Sequence, residues 1–425
     1  MISRVRQLAS FTRALAVLAL IGIIAVGIIA VADGTFTGGQ SGLQPTRGTG
    51  PSACAATVLS TLGDVAARIY REGIDSERTI VAARQIRSSA PLREAIERGD
   101  PATVLTAAKA LVAAGHMTNL TIIEGSRLLA EAGSPHALTP LRGTVLSAAG
   151  KPIASYLVSV WSDQGFIAET QGVAESTTVV RAGANTVLGS LQLPNHALPF
   201  EGSITRDGVD YRYTSFPARA YPSGTVRLYL FRRLSTISPL CGRTEQDTVV
   251  NTLRQIANLI YIGEIGPRAE HEIRRVQGDR EMLRAVAARN RLATKKAIDR
   301  VLNEHIVRLR VSAGGRLLSD VGGPFVLGPR TAPLVLGGRT IGELVLSIQD
   351  DAGYLKLTQR LAGLRVLMYM GPRLVMSSID PVPARVPAEG LIRDGARSYR
   401  VFTLNLRSFP GGPLRVVVFV PIPYA

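Results

Sequence analysis

Four side chains in the first half of this sequence could together hold a small molecule. Ser155, Ser159 and Trp161 fall at even spacing along one segment, so an extended backbone would put them on one face. Two hydroxyls beside the only indole of the chain supply the stacking wall and hydrogen-bonding groups that a small-ligand pocket needs. A strand face turned to solvent would carry the same residue types. Arg181, on the strand that follows, could grip a carboxylate through a bidentate pair, or stand exposed as a plain surface arginine. Tyr211 and Tyr213 flank this region in a core or rim role. Catalytic and metal chemistry find no such support. No G-x-S-x-G elbow, Walker loop, H-E-x-x-H or C-x-x-C occurs. His116, His136, His196, His271 and His305 are scattered without ligand spacing. Asp350 and Asp351 are adjacent, so on a strand they would face opposite sides, and a turn suits them better. The residues therefore point to binding, not to an enzyme, and call for no cofactor and no metal.

The elements that would position these residues occur twice. SRLLAEAG at Ser126–Gly133 returns as GRLLSDVG at Gly315–Gly322, and PIASYLVSVWSDQGF at Pro152–Phe166 returns as TIGELVLSIQDDAGY at Thr340–Tyr354. YPSGTVRLYLF at Tyr221–Phe231 returns as FPGGPLRVVVF at Phe409–Phe419. Upstream, Val58, Leu62, Val65 and Ile69 match Val249, Leu253, Ile256 and Ile260. The order is collinear and the offset drifts only between 188 and 191, which marks a tandem duplication. Each copy opens with a helix whose apolar residues are spaced 4, 3, 4, the sign of one buried face. A second helical stretch follows, residues 91–115 in one copy and 281–303 in the other. Then come strands with Gly-marked turns, including Leu120–Ile123 leading through Gly125 to Arg127–Ala130. In the long strand, Tyr156, Val158 and Val160 answer to Leu344, Leu346 and Ile348, an apolar face that should pack on the helices. The opposite face differs between copies, and Arg181 answers to Tyr369, so the two copies should not bind one molecule. Helices followed by an antiparallel meander predict an α+β fold, with helices on one sheet face.

The hairpin ending in RLLAEAG, the Gly150–Ser159 and Gly338–Ser347 strands, and the closing PSGTVRLYL strand resemble the Cache extracellular sensor domains. The resemblance implies two tandem PAS-like domains, each an antiparallel sheet with a long N-terminal helix, over residues 54–238 and 239–425. It also implies a small-molecule ligand, such as an amino acid, organic acid or amine, and a signal passed to a separate protein. The chain departs from the family by lacking the aromatic-Arg-Trp and terminal Asp signature of the amino-acid-binding members, which leaves the ligand class open.

Charge and hydropathy bear on address. Arg4, Arg6 and Arg13 precede an uncharged apolar run from Ala14 to Ala32, and Asp33 follows it. At 1.5 Å per residue the run spans about 28 Å, enough for a bilayer core, and the flanking charges orient the remainder outward. Residues 1–32 thus read as a transmembrane signal anchor in the cell membrane, single-pass with the bulk of the chain outside the cytoplasm. Ala30-Val31-Ala32 also fits a cleavage site that would release a secreted chain. Residues 33–53 are a Gly-rich linker with a reach of about 25 Å. Export permits a disulfide, and Cys54 and Cys241, each just ahead of a copy's first helix, could form one or remain two thiols. The net charge of +17 concentrates between Arg268 and Arg316, with 13 basic and six acidic side chains. No zinc-finger, helix-turn-helix or RNP pattern accompanies it, which argues against nucleic acid. The function expected is an extracytoplasmic small-molecule sensor module. The alternative is a structural or adhesive protein that meets an anionic envelope polymer or lipid through its basic second copy.

Overall fold

A computed structural model describes residues 51–422, apart from 116, 303–304, 324–325, 395–396 and 410–412. The expected anchor and most of the expected linker lie outside these residues, and Pro51–Ala53 open the first helix instead of closing a tether. Among the described residues no helix is long and apolar enough to cross a membrane. That corrects the expected single-pass membrane placement. The run Ala14–Ala32 that carried it, with its cleavage alternative, is not among the described residues.

Helix α1 (Pro51–Asp75) begins with proline, whose missing N–H is no loss in a first turn. It buries Val58, Leu62, Val65 and Ile69 on one face. Three shorter helices follow: α2 (Glu77–Ser88), α3 (Ala90–Glu97) and α4 (Pro101–Ala114). Ser76, Ser89 and Asp100 start them by accepting first-turn N–H groups. The expected single stretch over 91–115 is thus split, because the chain turns at Gly99 (φ 66°) before the Asp100 cap.

Strands β1 (Asn119–Glu124) and β2 (Arg127–Gly133) form the expected hairpin through Gly125. β3 (Ala137–Leu138) leaves for another sheet, while β4 (Leu141–Leu146) and β5 (Pro152–Ser159) complete a four-stranded antiparallel sheet, β2-β1-β5-β4. Its Tyr156 and Val158 pack with Ile86 and Ile96 on the helix side, as alternation predicts. Then come β6 (Trp161–Ser162), α5 (Asp163–Ala174), β7 (Thr177–Ala182) and β8 (Asn185–Leu188). The copy closes with β9 (Glu201–Arg206), β10 (Val209–Tyr221) and β11 (Gly224–Arg233). These build a larger antiparallel sheet, β6-β3-β10-β11-β7-β8, with β9 and β3 sharing the outer edge of β10. Strands β7 to β11 place their first and last members side by side at the centre, a PAS-like layout.

Short helix α6 (Leu234–Ile237) leads to the second copy, which repeats the plan element for element. Its helices are α7 (Glu245–Ile265), α8 (Pro267–Gln277), α9 (Arg280–Ala287) and α10 (Arg291–Val301). The small sheet holds β12 (Arg308–Ala313) and β13 (Arg316–Gly322), and after β14 (Val326–Leu327) come β15 (Arg330–Leu336) and β16 (Arg339–Ser347). β17 (Gln349–Asp350), α11 (Asp351–Ala362), β18 (Arg365–Met370) and β19 (Arg373–Ser377) precede the closing strands. Those are β20 (Gly390–Asp394), β21 (Arg397–Phe409) and β22 (Pro413–Ile422). The orders β13-β12-β16-β15 and β17-β14-β21-β22-β18-β19, with β20 on β21, repeat those of the first copy. The fold is α+β and duplicated.

The structure departs from the sequence reading in two ways. Each copy holds two sheets, because the chain crosses from the small to the large sheet between β5 and β6 and again between β16 and β17. Helices α5 and α11 interrupt the strands, capped by Ser162 and by Asp350, whose Oδ1 accepts from the Gly353 N–H at 2.6 Å. The copies are also not separate beads. One hydrophobic core runs through both, joining Val58, Leu62 and Ile69 of α1 to Ile256 and Ile260 of α7. α5 and α11 each touch both long helices. Cys54 and Cys241 are bonded across 187 residues, with Cα atoms 5.6 Å apart, which ties the start of α1 to the approach to α7.

Candidate functional site

On β7 the side chains alternate, Val180 entering the core shared with α1 while Val179 joins a second cluster on the far face. Arg181 shares the parity of Val179 and so points to that far face. There β11 contributes Tyr229, paired with Val179, together with Phe231, and β10 contributes Tyr211 and Tyr213. Tyr213 lies 5.0 Å from Phe231 and 5.9 Å from Tyr229 between ring centroids. The segment between β8 and β9 covers this wall with Leu191, Leu193 and Leu198, and the Tyr229 hydroxyl donates to the Leu198 carbonyl at 3.0 Å.

Arg181 is 1% exposed beneath that cover. Its Nη2 donates to the carbonyls of Ala184 and Pro194, the latter at 2.8 Å. Its Nε and Nη1 are buried with no partner. A guanidinium cannot shed its proton, so a fixed positive charge is sealed in the fold with two donor groups unsatisfied. Such an arrangement costs free energy until acceptor oxygens meet those donors. A cavity of about 520 Å³ opens on the same wall, bounded by Pro194, Leu198, Pro199, Gly202, Ile204 and Tyr213. Gly202 is required there, because a Cβ would come within 2.7 Å of the Tyr213 hydroxyl oxygen. Burial pushes the Tyr213 phenol above its ordinary pKa and Tyr229 adds to that, while the Arg181 charge pulls the other way.

The duplicate acts as an internal control. In the second copy the corresponding cluster contains Leu367, Tyr399, Val401, Val417 and Phe419, with Tyr369 in the place of Arg181. Of the three tyrosines of the first-copy wall, Tyr213 and Tyr229 become Val401 and Val417, while Tyr211 answers to Tyr399. One copy thus keeps a buried guanidinium beside phenols where the other is mainly hydrocarbon.

The four residues singled out in the sequence do not share one site. Ser155 lies on the small sheet, where its hydroxyl donates to the Ile123 carbonyl at 3.4 Å. Ser159 is 1% exposed, and its hydroxyl is occupied by the carbonyls of Leu138 and Trp161, which ties the small sheet to the large one. Trp161 sits on β6 and packs edge-on to Phe166 at 6.4 Å on the helix side. Only Arg181 reaches the far face, because α5 intervenes and β7 pairs with β11 in the other sheet. The wall residues Tyr229 and Phe231 escaped the sequence reading. Their signal was the alternating aromatic pairs Tyr211/Tyr213 and Tyr229/Phe231 on neighbouring strands. Among the described residues no group of three or more histidines, cysteines or carboxylates could hold a metal ion.

No family model and no curated protein matches the chain. Solved structures do. The periplasmic domain of Vibrio cholerae LuxQ is similar at 10% identity and a TM-score of 0.26, over 43% of this chain and 100% of that one. The ligand-binding domain of the Pseudomonas fluorescens chemoreceptor CtaA, in complex with L-alanine, is similar at 14% identity and a TM-score of 0.26. It covers 41% of this chain and 95% of its own. An extracellular ligand binding receptor from Desulfohalobium retbaense is similar at 14% identity and a TM-score of 0.24, over 43% of this chain and 39% of that one. Scores of this size decide nothing about ligand or mechanism. The PAS-like layout stands on the strand order itself.

Proposed function

We propose that the chain is an extracytoplasmic sensor module whose first copy binds a small carboxylate-bearing molecule through Arg181. The observation that carries this reading is a guanidinium 1% exposed with Nε and Nη1 unpartnered, next to a wall of phenols. A carboxylate would accept from one of these donors, which lie on different edges of the guanidinium, and neutralise the charge, and the rings would bury the ligand's apolar part. Phenols, rings and a guanidinium are groups suited to holding an anion. The covering segment between β8 and β9 would have to lift for entry, since Arg181 itself holds Pro194 of that segment. The disulfide suits an oxidising compartment. Residues 54–238 and 239–425 are read as the two ancestral units, the second serving as a partner surface or spacer. Calorimetry of the full chain with a panel of small carboxylates tests the reading. Arg181→Gln should weaken the best ligand at least tenfold; equal affinity in the variant, or no ligand in the panel, overturns it.

A second reading has one observation in its favour. Residues 280–300 carry seven basic and two acidic side chains, whereas the matching 90–110 carry three of each. Arg284, Arg289, Lys295 and Lys296 of this region are exposed. An anionic polymer could lie there; its binding would fall steeply with salt and vanish on charge reversal at Arg284, Arg289 and Lys295.

A further inference from the structure

A cavity of about 690 Å³ opens at the seam between the copies and shares no lining residue with the one beside Tyr213. Its polar wall contains Arg232 from β11, Glu175 just after α5, and Asn251, Arg254, Gln255 and Asn258 from α7. Arg232 is 2% exposed. Its Nη1 donates to the Ala174 carbonyl at 2.6 Å, and its Nη2 reaches Gln255 Oε1 at 3.1 Å, Glu175 Oε2 at 3.3 Å and the Thr236 carbonyl at 3.4 Å. Its Nε is buried with no partner. Arg254 repeats the pattern: Nη2 pairs with Glu389 Oε1 at 2.7 Å, and its buried Nε has no acceptor. One cavity is therefore lined by two arginines, each paired with a carboxylate through Nη2 and each keeping a buried Nε–H without an acceptor, while the Arg254 guanidinium also lies 5.2 Å over the Phe402 ring.

The backbone at this seam is strained as well. Glu175 caps α5 in the left-handed region at φ 46°, where the second copy has Gly363 at φ 68°. An L side chain is disfavoured there, and here it delivers the carboxylate that meets Arg232 and Gln255. The duplicate positions of Arg232, Arg254 and Gln255 are Val420, Gly63 and Asp64. The polar set is thus confined to one seam.

We propose that this seam cavity is a second ligand site, independent of Arg181, for a small monocarboxylate or hydroxy acid. The volume is more than enough for such a molecule, and a carboxylate oxygen is the acceptor that a guanidinium N–H takes. A phosphate would bring a second negative charge close to Glu175 and Glu389, which already neutralise the two arginines. Calorimetry of the full chain carrying Arg181→Gln isolates the seam, with lactate, glycolate and phosphate as probes and a melt to confirm folding. Should that variant not fold, titration of the wild-type chain resolves the same second class of site. Lactate or glycolate should bind, and Arg254→Gln, a change at a side chain 39% exposed, should weaken that binding at least tenfold. Unchanged affinity in Arg254→Gln, no saturable carboxylate binding, or tighter binding of phosphate overturns the proposal. Loss of binding at Arg181 alone would bear only on the first-copy site.

Discussion

A guanidinium sealed from water with two donors unused works against the stability of its own fold. Replacing Arg181 by methionine keeps the bulk of the stem, removes the charge and gives up the bonds to Ala184 and Pro194. Exchange of buried ionic groups for apolar ones of similar volume is often neutral or stabilising by about 1–4 kcal/mol. Arg181→Met should therefore melt, in carboxylate-free buffer, no lower than the wild type while losing ligand binding. A melt showing a loss of more than about 2 kcal/mol would instead make Arg181 a staple for the covering segment. Gly202 offers a complementary test, since an added methyl would push into the Tyr213 phenol. Gly202→Ala should weaken ligand binding through the shifted ring while leaving the α1 core intact, which a ligand titration run beside a melt would separate.

Where the small sheet meets the large one, the two copies solved one problem with different chemistry. In the first, the Tyr221 hydroxyl donates to Glu131 Oε2 at 2.6 Å. In the second, Asp320 accepts from Arg308 and Arg310, whose guanidinium carbons lie 4.1 and 4.3 Å from the centre of the Phe409 ring. Burial alone would raise the Asp320 pKa, but the two arginines outweigh it and hold the carboxyl below the ordinary range. The folded pKa is thus depressed. Its stabilisation is fully present above the unfolded value of about 3.9 and fades as pH falls through the folded value. Denaturant titrations between pH 2 and 6 should show wild-type stability falling on the acid side, with a shallower fall in Asp320→Asn. At pH 7 that variant should be less stable by about 2 kcal/mol, the worth of a hydrogen bond to a charged group. Neither seam could be read from the sequence, because each joins strands that lie in different sheets. Helices α5 and α11 were hidden for a local reason. Their caps, Ser162 and Asp350, directly follow strand-like alternation, and Gly165 and Gly353 three residues on read as turn residues more readily than as a helix start.

At the scale of the molecule, duplication was the most legible feature and also the most misleading. Collinear repeats and the 4-3-4 apolar spacing of α1 and α7 disclosed the element order, because periodicity records which face is buried. They could not disclose what buries it. The faces of α1 and α7 enter one core together, and α5 and α11 bridge both helices, so this central core is shared, while each copy keeps a separate core under its small sheet. The candidate site was legible only at Arg181, since strand alternation locates a face but not the sheet to which the strand belongs. A shared interior has a thermodynamic consequence. The described residues, from Pro51 onward, belong to one compact unit, so heating should give one cooperative transition. Leu62→Ala, at a position 1% exposed in the middle of that core, should lower the whole transition by about 2–5 kcal/mol and leave no second step behind. The Cys54–Cys241 bond closes 187 residues of chain, and in the chain-entropy account such a loop stabilises the fold by about 5 kcal/mol. Reduction should therefore move the single transition to lower temperature without splitting it. Calorimetry with and without reductant checks this. Two resolved transitions, one for each copy, would mean that the common core contributes too little to couple them.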